Sequence, residues 1–109
     1  MQKTLMNKYF LYIRKKEKYS DKENPFYYMQ EEKLELIIKS LDAKRGEDIQ
    51  AIKIGDLTIL ADYFVIVNGT SNTHTRTLAD EVEFQLSQKG IEPIRREADI
   101  GNTWIILDY

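Results

Sequence analysis

The residues whose spacing most suggests chemistry are NGTSNT at 68–73, a glycine turn that runs into a helix start. Unpaired backbone N–H groups and the helix dipole favour an anion at such a point, and nucleotide-binding proteins use this geometry. The chain has no GxGxxG pattern and no lysine after the glycine, so the dinucleotide and P-loop fingerprints are absent. We therefore prefer simple capping of the helix by Thr70 or Ser71.

A second candidate is the acidic group Asp80, Glu81 and Glu83. Nucleotidyl transfer needs carboxylates clustered around Mg²⁺. Here the carboxylates lie in a helical pattern, and Val82 between them belongs to its apolar stripe. A solvated helix face is therefore the preferred interpretation.

The single histidine, His74, lies near Ser71, but a serine–histidine pair also needs an orienting acid. A surface histidine in the first helical turn is the simpler interpretation. The chain has no cysteine, which excludes disulfides and thiolate sites and is typical of a reducing cytosol. We expect no catalytic residue, no metal and no cofactor.

The charge is divided along the chain. Residues 1–28 contain seven Lys/Arg against three acids, whereas residues 29–109 contain nine against fifteen. An acidic globular part does not favour nucleic-acid phosphates, so we expect no direct sequence-specific binding of nucleic acid. It suits a basic protein partner better. No run of about 18 apolar residues is present, so we expect no membrane span.

The first 28 residues differ from the rest, because they contain seven of the twelve aromatic residues and the basic cluster RKKEK at 14–18. They read as a basic, aromatic N-terminal extension. Three interpretations stay open: a flexible extension, a translation start at Met29, and a membrane-surface helix near the basic run.

Regular patterns begin after Met29. Leu34, Ile37, Ile38 and Leu41 are spaced as one stripe of an amphipathic helix, which Gly46 ends. A strand is predicted at 49–54, and the run YFVIV at 63–67 predicts a strand that is covered on both faces.

A second helix is predicted at 72–89, with Gly90 as its C-terminal stop. Strands are predicted at 91–94, where Pro93 indicates an edge, and at 103–107. The element order predicts an α/β (α+β) domain with a mixed sheet and flanking helices. The 72–89 helix would connect two strands as a crossover, right-handed if they are parallel.

Along the last strand, Trp104 alternates with Ile106 and Asp108 and lies opposite Ile105 and Leu107. One face would belong to the core and the other to a contact surface, since tryptophan is a frequent anchor at protein interfaces. Spacing alone leaves open whether Trp104 is a contact or a core residue.

Four segments together resemble the ribosomal silencing factor (Iojap-like) family. They are LDAKRGEDI at 41–49, LADYFVIVNGTSN at 60–72, ADEV at 79–82 and WIILDY at 104–109. The resemblance implies a cytoplasmic, non-enzymatic protein with a nucleotidyltransferase-like topology that lacks the catalytic carboxylates. It also implies binding to the large-subunit ribosomal protein conventionally numbered fourteen. Binding there would block the small subunit and repress translation during starvation.

The resemblance also implies site residues. The family's strand-to-helix motif matches Asp62 and Ser71, together with Tyr63, Gly69 and Thr70, and its late strand matches Trp104, Leu107, Asp108 and Tyr109. We expect Trp104 and Asp108 to lie at or beside the ribosomal contact, with Leu107, Tyr109, Asp62 and Ser71 as further partner-binding residues. A structural role stays open for Asp62 and Ser71.

Two departures from the family pattern bear on the fold. The family pattern starts near Met29, so residues 1–28 are additional to a domain at 29–109. Family members also continue after the position of Tyr109 with a glycine turn, an apolar strand and an acidic tail, so this domain is expected to lack the family's last strand. The unpaired edge could be covered by a homodimer partner, by strand exchange or by residues 1–28.

Overall fold

The computed structural model of the chain describes residues 9–17, 27–54 and 61–109, and the side chains of residues 9–14, 32–52 and 64–109. The strands are β1 (Phe10–Glu17), β2 (Glu47–Ile54), β3 (Ala61–Asn68), β4 (Arg95–Ala98) and β5 (Trp104–Asp108). The helices are α1 (Tyr27–Ala43) and α2 (Asn72–Ser87). The predicted α+β domain with a mixed sheet and flanking helices is confirmed.

β1 is the central strand of the five-stranded sheet, whose order is β2-β3-β1-β5-β4. It pairs antiparallel with β3 over all eight of its residues, from Phe10↔Asn68 to Glu17↔Ala61. It pairs in parallel with β5 from Phe10↔Trp104 to Arg14↔Asp108. Strand β1 therefore joins two strand pairs, β2–β3 and β5–β4, into one sheet.

No strand is predicted at this position from the sequence, because the charged run that follows Ile13 hides the signal. In the structure Leu11 and Ile13 are 0% exposed and alternate with Tyr12 and Arg14, as a strand requires. Residues of the N-terminal segment pair with β5, which is one of the three coverings expected for an unpaired sheet edge. The predictions for residues 1–8 and 18–26 lie outside the described residues.

Both helices pack on the same face of the sheet. Their buried residues form one cluster with alternate residues of the three middle strands: Leu11, Ile13, Ile37, Leu41, Val65, Val67, Leu78, Ala79, Val82, Leu86, Ile105, Leu107 and Tyr109. The other face carries the intervening residues of each strand. We call it the open face, since no helix formed by the described residues covers it.

The two glycines predicted to end the helices do so in different ways. Gly46 lies against β3: a Cβ there would stand 2.5 Å from Val67 Cγ2, so only glycine lets the end of α1 approach the sheet so closely. The Gly46 N–H donates to the Leu41 carbonyl at 2.9 Å. Gly90 has open space around it but a φ of 75°, the left-handed conformation that follows many helices.

The strand predicted at 91–94 is wrong, since the chain is irregular there and β4 begins at Arg95. Pro93 has no N–H to donate, which removes a ladder hydrogen bond. Pairing begins with the Ile94 N–H, which donates to the Asp108 carbonyl at 2.6 Å. The helix between β3 and β4 is a crossover as predicted. The pairings make these strands parallel in direction, although β1 and β5 lie between them.

Candidate functional site

The four predicted contact residues on and after β5 divide between the two faces of the sheet. Trp104 is half-buried on the open face, and Asp108 lies on the same face. Leu107 is 0% exposed in the core, and the Tyr109 side chain joins the core on the helix side. The alternation predicted for this strand is therefore confirmed, with Trp104 on the face opposite the helices.

Asp108 forms the best-defined ion pair of the described residues, with Arg14 of β1. Arg14 Nε donates to Asp108 Oδ1 at 3.1 Å and Nη2 donates to Oδ2 at 2.6 Å, which is a bidentate arrangement. The Asp108 side chain is only 12% exposed, so the Arg14 guanidinium compensates for the water that its carboxylate lacks. The backbone closes the same junction, because the Tyr109 N–H donates to the Arg14 carbonyl at 2.7 Å.

Trp104 is held in place by a turn centred on Asp99. Asp99 Oδ1 accepts from the Thr103 N–H at 2.7 Å and from the Trp104 N–H at 3.3 Å, and Oδ2 accepts from the Thr103 hydroxyl. The Thr103 hydroxyl and these backbone donors lower the pKa of Asp99, since they stabilise its charged form. These hydrogen bonds therefore fix the backbone position of Trp104, the first residue of β5.

Around Trp104 the open face carries a group of half-buried apolar side chains from three strands. We call it the open-face cluster; its members are Phe10, Tyr12, Phe64, Trp104 and Ile106. The Tyr12 and Phe64 rings pack at 5.2 Å between centroids. A shallow cavity of about 250 Å³ adjoins them, with the Arg14–Asp108 pair on its wall. Half-buried aromatic side chains beside a charged pair are typical of a protein-contact surface.

Ser71 caps α2, as one of the sequence interpretations proposed. Its Oγ accepts from the His74 N–H at 3.1 Å, and the Thr75 hydroxyl donates to the Ser71 carbonyl at 3.0 Å. The Thr73 N–H is engaged by Asn72 Oδ1 at 2.8 Å. Several donors that an anion would use are thus already satisfied within the helix start.

His74 links three segments and is not oriented for catalysis on Ser71. Its Nδ1 accepts from the Thr70 N–H at 2.9 Å. The proton therefore belongs on Nε2, which donates to the Lys44 carbonyl at 2.8 Å. Ser71 Oγ meets the histidine backbone rather than its ring. The ring ties the start of α2 to the end of α1.

The six predicted site residues do not form one cluster. Phe10 is flanked by Asn68 and Trp104, so Ser71, three residues beyond Asn68, lies toward the Trp104 end of the sheet. Asp62 pairs with Lys16 toward the opposite end, beyond Asp108, and its side chain lies outside the described residues. Trp104 and Asp108 share the open face. Leu107 and Tyr109 lie in the core, and Ser71 lies at the start of α2.

The acidic group on α2 is paired with a cation from β4. Arg96 Nη1 lies 3.0 Å from Asp80 and 3.1 Å from Glu83, and Glu81 accepts from the Gln85 amide at 2.9 Å. Partial burial lowers the pKa of Arg96, but the hydrogen bonds and charges of Glu83 and Asp80 outweigh that effect and raise it. Within the described ranges no group of three or more His, Asp or Glu side chains is arranged to hold a metal ion.

Four residues of the site are not predicted from the sequence: Phe10, Tyr12, Arg14 and Phe64. Phe10, Tyr12 and Arg14 belong to a strand that the sequence does not predict, and Phe64 belongs to a strand expected to be covered on both faces. A signal for β1 exists in the alternation of Leu11 and Ile13 with more polar neighbours. Its brevity and the adjoining basic run conceal it.

None of the helices that the described residues form is long and apolar enough to cross a membrane.

Comparison with known proteins assigns most of the chain to one family pattern. The family model described as "Ribosomal silencing factor during starvation" matches residues 28–109. The chain is 31% identical over 75 residues to the ribosomal silencing factor RsfS of Bacillus subtilis (strain 168), which covers 69% of this chain and 64% of that protein. It is 28% identical over 78 residues to RsfS of Halalkalibacterium halodurans, covering 72% and 67%.

A third relative, RsfS of Chromobacterium violaceum, is 27% identical over 73 residues, covering 67% of this chain and 60% of that protein. The matched segment thus spans about two thirds of the length of these three relatives, or slightly less. No solved structure gives a significant match. The family-matched segment includes β5 with Trp104 and Asp108, but not β1 with Arg14.

Proposed function

Because the chain belongs to the family of ribosomal silencing factors, we propose that it represses translation by binding the large ribosomal subunit. In this proposal it occupies the subunit-joining face and blocks association with the small subunit during starvation. The partner is the large-subunit protein conventionally numbered fourteen, and the site of action is the cytoplasm. The observation that carries the proposal is the family match over residues 28–109.

Charge supports a basic protein partner. The family-matched part of the chain is acidic, since residues 29–109 contain fifteen acids against nine Lys/Arg. Opposite net charges accelerate encounter and favour correct orientation more than they raise affinity. A ribosomal surface protein of basic character fits this balance.

The contact surface that we propose is the open face around Trp104. Trp104 and its neighbours of the open-face cluster offer apolar area, and Asp108 offers a carboxylate shared with Arg14. Leu107 and Tyr109 lie in the core, so we propose that they act by positioning β5 rather than by touching the partner. Ser71 and Asp62 are proposed as flanking positions, at opposite ends of the sheet.

The mechanism that we propose is occupancy of a surface, without an enzymatic step. The competing nucleotide-binding function gains no support from the described residues. The N–H groups of Thr70, Thr73 and His74 are engaged within the chain, and Asp80 and Glu83 both form ion pairs with Arg96. A nucleotide would have to displace those contacts.

Self-association is a separate proposal, in which two copies form a homodimer by exchanging a strand. The central strand β1 precedes the family-matched segment, so the same pairing can form between copies. Light scattering on gel-filtered protein over a hundredfold concentration range would detect such a dimer. A mass that stays at that of one chain, 12.9 kDa, throughout the range would refute it.

The main experiment is co-sedimentation of the purified chain with isolated large subunits, followed by a subunit-joining assay. We expect binding and a lower yield of joined ribosomes. Trp104→Ala should weaken binding by at least about tenfold, because an interface anchor of this type contributes on the order of 2 kcal/mol.

Phe84→Ala is the matched control, since Phe84 is an exposed aromatic residue on α2, on the side of the helices. Circular dichroism of each variant checks that it remains folded. Absence of binding by the unaltered chain would overturn the proposed function. Equal loss of binding in both variants would overturn the assignment of the open face.

A further inference from the structure

The β3 edge of β1 is paired from Phe10 to Glu17, and its β5 edge is paired from Phe10 to Arg14. Its first residues are fixed by the Gly69 N–H, which donates to the Tyr9 carbonyl at 3.0 Å, and by the Phe10 N–H, which donates to the Thr103 carbonyl at 3.0 Å. Its middle is fixed by the Arg14–Asp108 pair and the Tyr109 N–H. Every one of these partners belongs to the family-matched segment, residues 28–109.

Within that segment the sheet is divided. β2 pairs with one edge of β3, and β4 pairs with one edge of β5. The other edges of β3 and β5 do not pair with each other, because β1 lies between them and pairs with both. The space is one strand wide, since a single strand bonds to both sides. On the helix side this space is bounded by the hydrophobic core, against which Leu11 and Ile13 pack at 0% exposure. A slot of this form presents backbone donors and acceptors on two walls and an apolar base.

The geometry of the slot determines which strand can occupy it. A strand that enters must run antiparallel to β3 and parallel to β5. It needs aliphatic side chains at two alternate positions, where Leu11 and Ile13 stand, and a guanidinium next to the second, where Arg14 meets Asp108. Main-chain hydrogen bonds supply affinity in such strand additions, and the pockets for alternate side chains supply specificity.

We propose that the space between β3 and β5 is a peptide-binding slot and that Phe10–Glu17 is its ligand, supplied by the same chain. The ligand class is an extended peptide with the pattern aliphatic-x-aliphatic-Arg. A separate peptide of this sequence replaces β1, because every contact that holds β1 is non-covalent and can be made by a strand from outside. The proposal concerns the slot alone and does not rest on ribosome binding.

The experiment starts from the full chain with a specific protease site inserted between Glu17 and Tyr27. The folded protein is cut, and gel filtration then shows whether the N-terminal piece stays bound. The cut protein is next unfolded in urea and refolded by dilution with an excess of a fluorescent peptide of residues 9–17, so that slow release cannot hide exchange. We expect the pieces to co-elute after cutting and the fluorescent peptide to be incorporated after refolding.

Two altered peptides test the stated chemistry. A peptide with Leu11→Asp and Ile13→Asp should bind at least about a hundredfold more weakly, because carboxylates would enter an apolar base. A peptide with Arg14→Ala should bind roughly tenfold more weakly, because Asp108 would lose its bidentate partner. A peptide with Leu11→Ile and Ile13→Leu, which keeps the aliphatic pattern, should stay within about tenfold of the original.

Two outcomes would overturn the proposal. In the first, the N-terminal piece separates on cutting while the remainder keeps its circular dichroism and its Tm, which would mean that β3 and β5 close without a strand between them. In the second, the fluorescent peptide is not incorporated on refolding, or the doubly acidic peptide binds as well as the original. Either result leaves the ribosome-binding proposal untouched, since that proposal is judged by co-sedimentation.

Discussion

Two junctions of this molecule are built from opposite kinds of contact. At the junction of β3 with α2, Ser71 caps His74 and Thr75, so the bonded residues lie three and four positions apart. At the junction of β1 with β5, Arg14 holds Asp108 from 94 positions away. Both junctions position predicted site residues, yet only the first can be predicted from residues that are close in sequence. Adjacent residues thus predict the cap at Ser71, while the environment of Asp108 depends on β1, whose short signal is concealed by the basic run.

The largest effect that tests this comparison is expected at Ile13 in β1. Ile13→Ala should destabilise the fold by roughly 2–5 kcal/mol, because it leaves a cavity beneath the sheet. Ile13 is 0% exposed and stands opposite Val65 of β3. Urea denaturation followed by circular dichroism measures the change.

Ile94→Ala is the control for Ile13→Ala, since it makes the same chemical change at a residue that is 75% exposed. It should alter stability by no more than about 0.5 kcal/mol. If both variants unfold at the same urea concentration, β1 is not part of the core and the comparison of the two junctions fails.

The next effect in size is that of the long-range ion pair. Arg14→Ala should cost about 1–3 kcal/mol, because it strips a largely buried carboxylate of its bidentate partner. Arg95→Ala breaks the Arg95–Glu97 pair, in which both side chains are more than half exposed, and should cost at most about 1 kcal/mol. A cycle that combines Arg14→Ala with Asp108→Asn would measure the coupling, and a coupling near zero would contradict our account of this junction.

A smaller effect is expected at the local junction. Ser71→Ala should destabilise the protein by about 1 kcal/mol, because the His74 N–H loses its cap. Thr73→Ala, at an exposed position in the first turn of the same helix, should cause no loss. Thermal unfolding compares the two, and a greater loss for Thr73→Ala than for Ser71→Ala would show that the cap is misassigned.

The smallest effect at neutral pH is expected for Tyr109→Phe. The Tyr109 hydroxyl is buried and has no hydrogen-bond partner within the described part of the chain, so its removal should change stability by less than about 1 kcal/mol or raise it. Burial, assisted by the charges of Glu83 and Glu92, raises the pKa of Tyr109.

The raised pKa has a consequence at alkaline pH. A tyrosine with a folded pKa above its unfolded value of about 10 contributes stability below that pH and loses it as the pH rises further. The unaltered chain should therefore lose stability more steeply than Tyr109→Phe above about pH 10. Parallel stability curves for the two proteins between pH 9 and 11 would contradict the burial of this hydroxyl in a protonated state.

The sequence predicted those parts of the fold whose evidence is local. The strand at 63–67, the helix that follows it and the alternation around Trp104 each carry their period in adjacent residues, and each is confirmed, although helices cover only one face of that strand. β1 has only two core residues before its charges begin, and β4 is exposed at every position, so the alternation of buried and exposed residues is short in β1 and absent in β4. Arg14 could not be assigned to the site, because pairing across 94 residues is decided by the sheet and not by its neighbours.

The central position of β1 has a consequence for the order in which the protein is made. β1 is synthesised first among the described strands and pairs with β5, the last of them. At about 5–20 residues per second, the 94 residues from Arg14 to Asp108 take roughly 5–20 s to translate. β3 is available to pair with β1 before the interval ends, but the β5 edge of β1 has no partner until β5 is made, so the nascent chain exposes an unpaired strand edge. The basic residues that follow Ile13, which obscured this strand in the sequence, are of the kind that keep such a segment from aggregating.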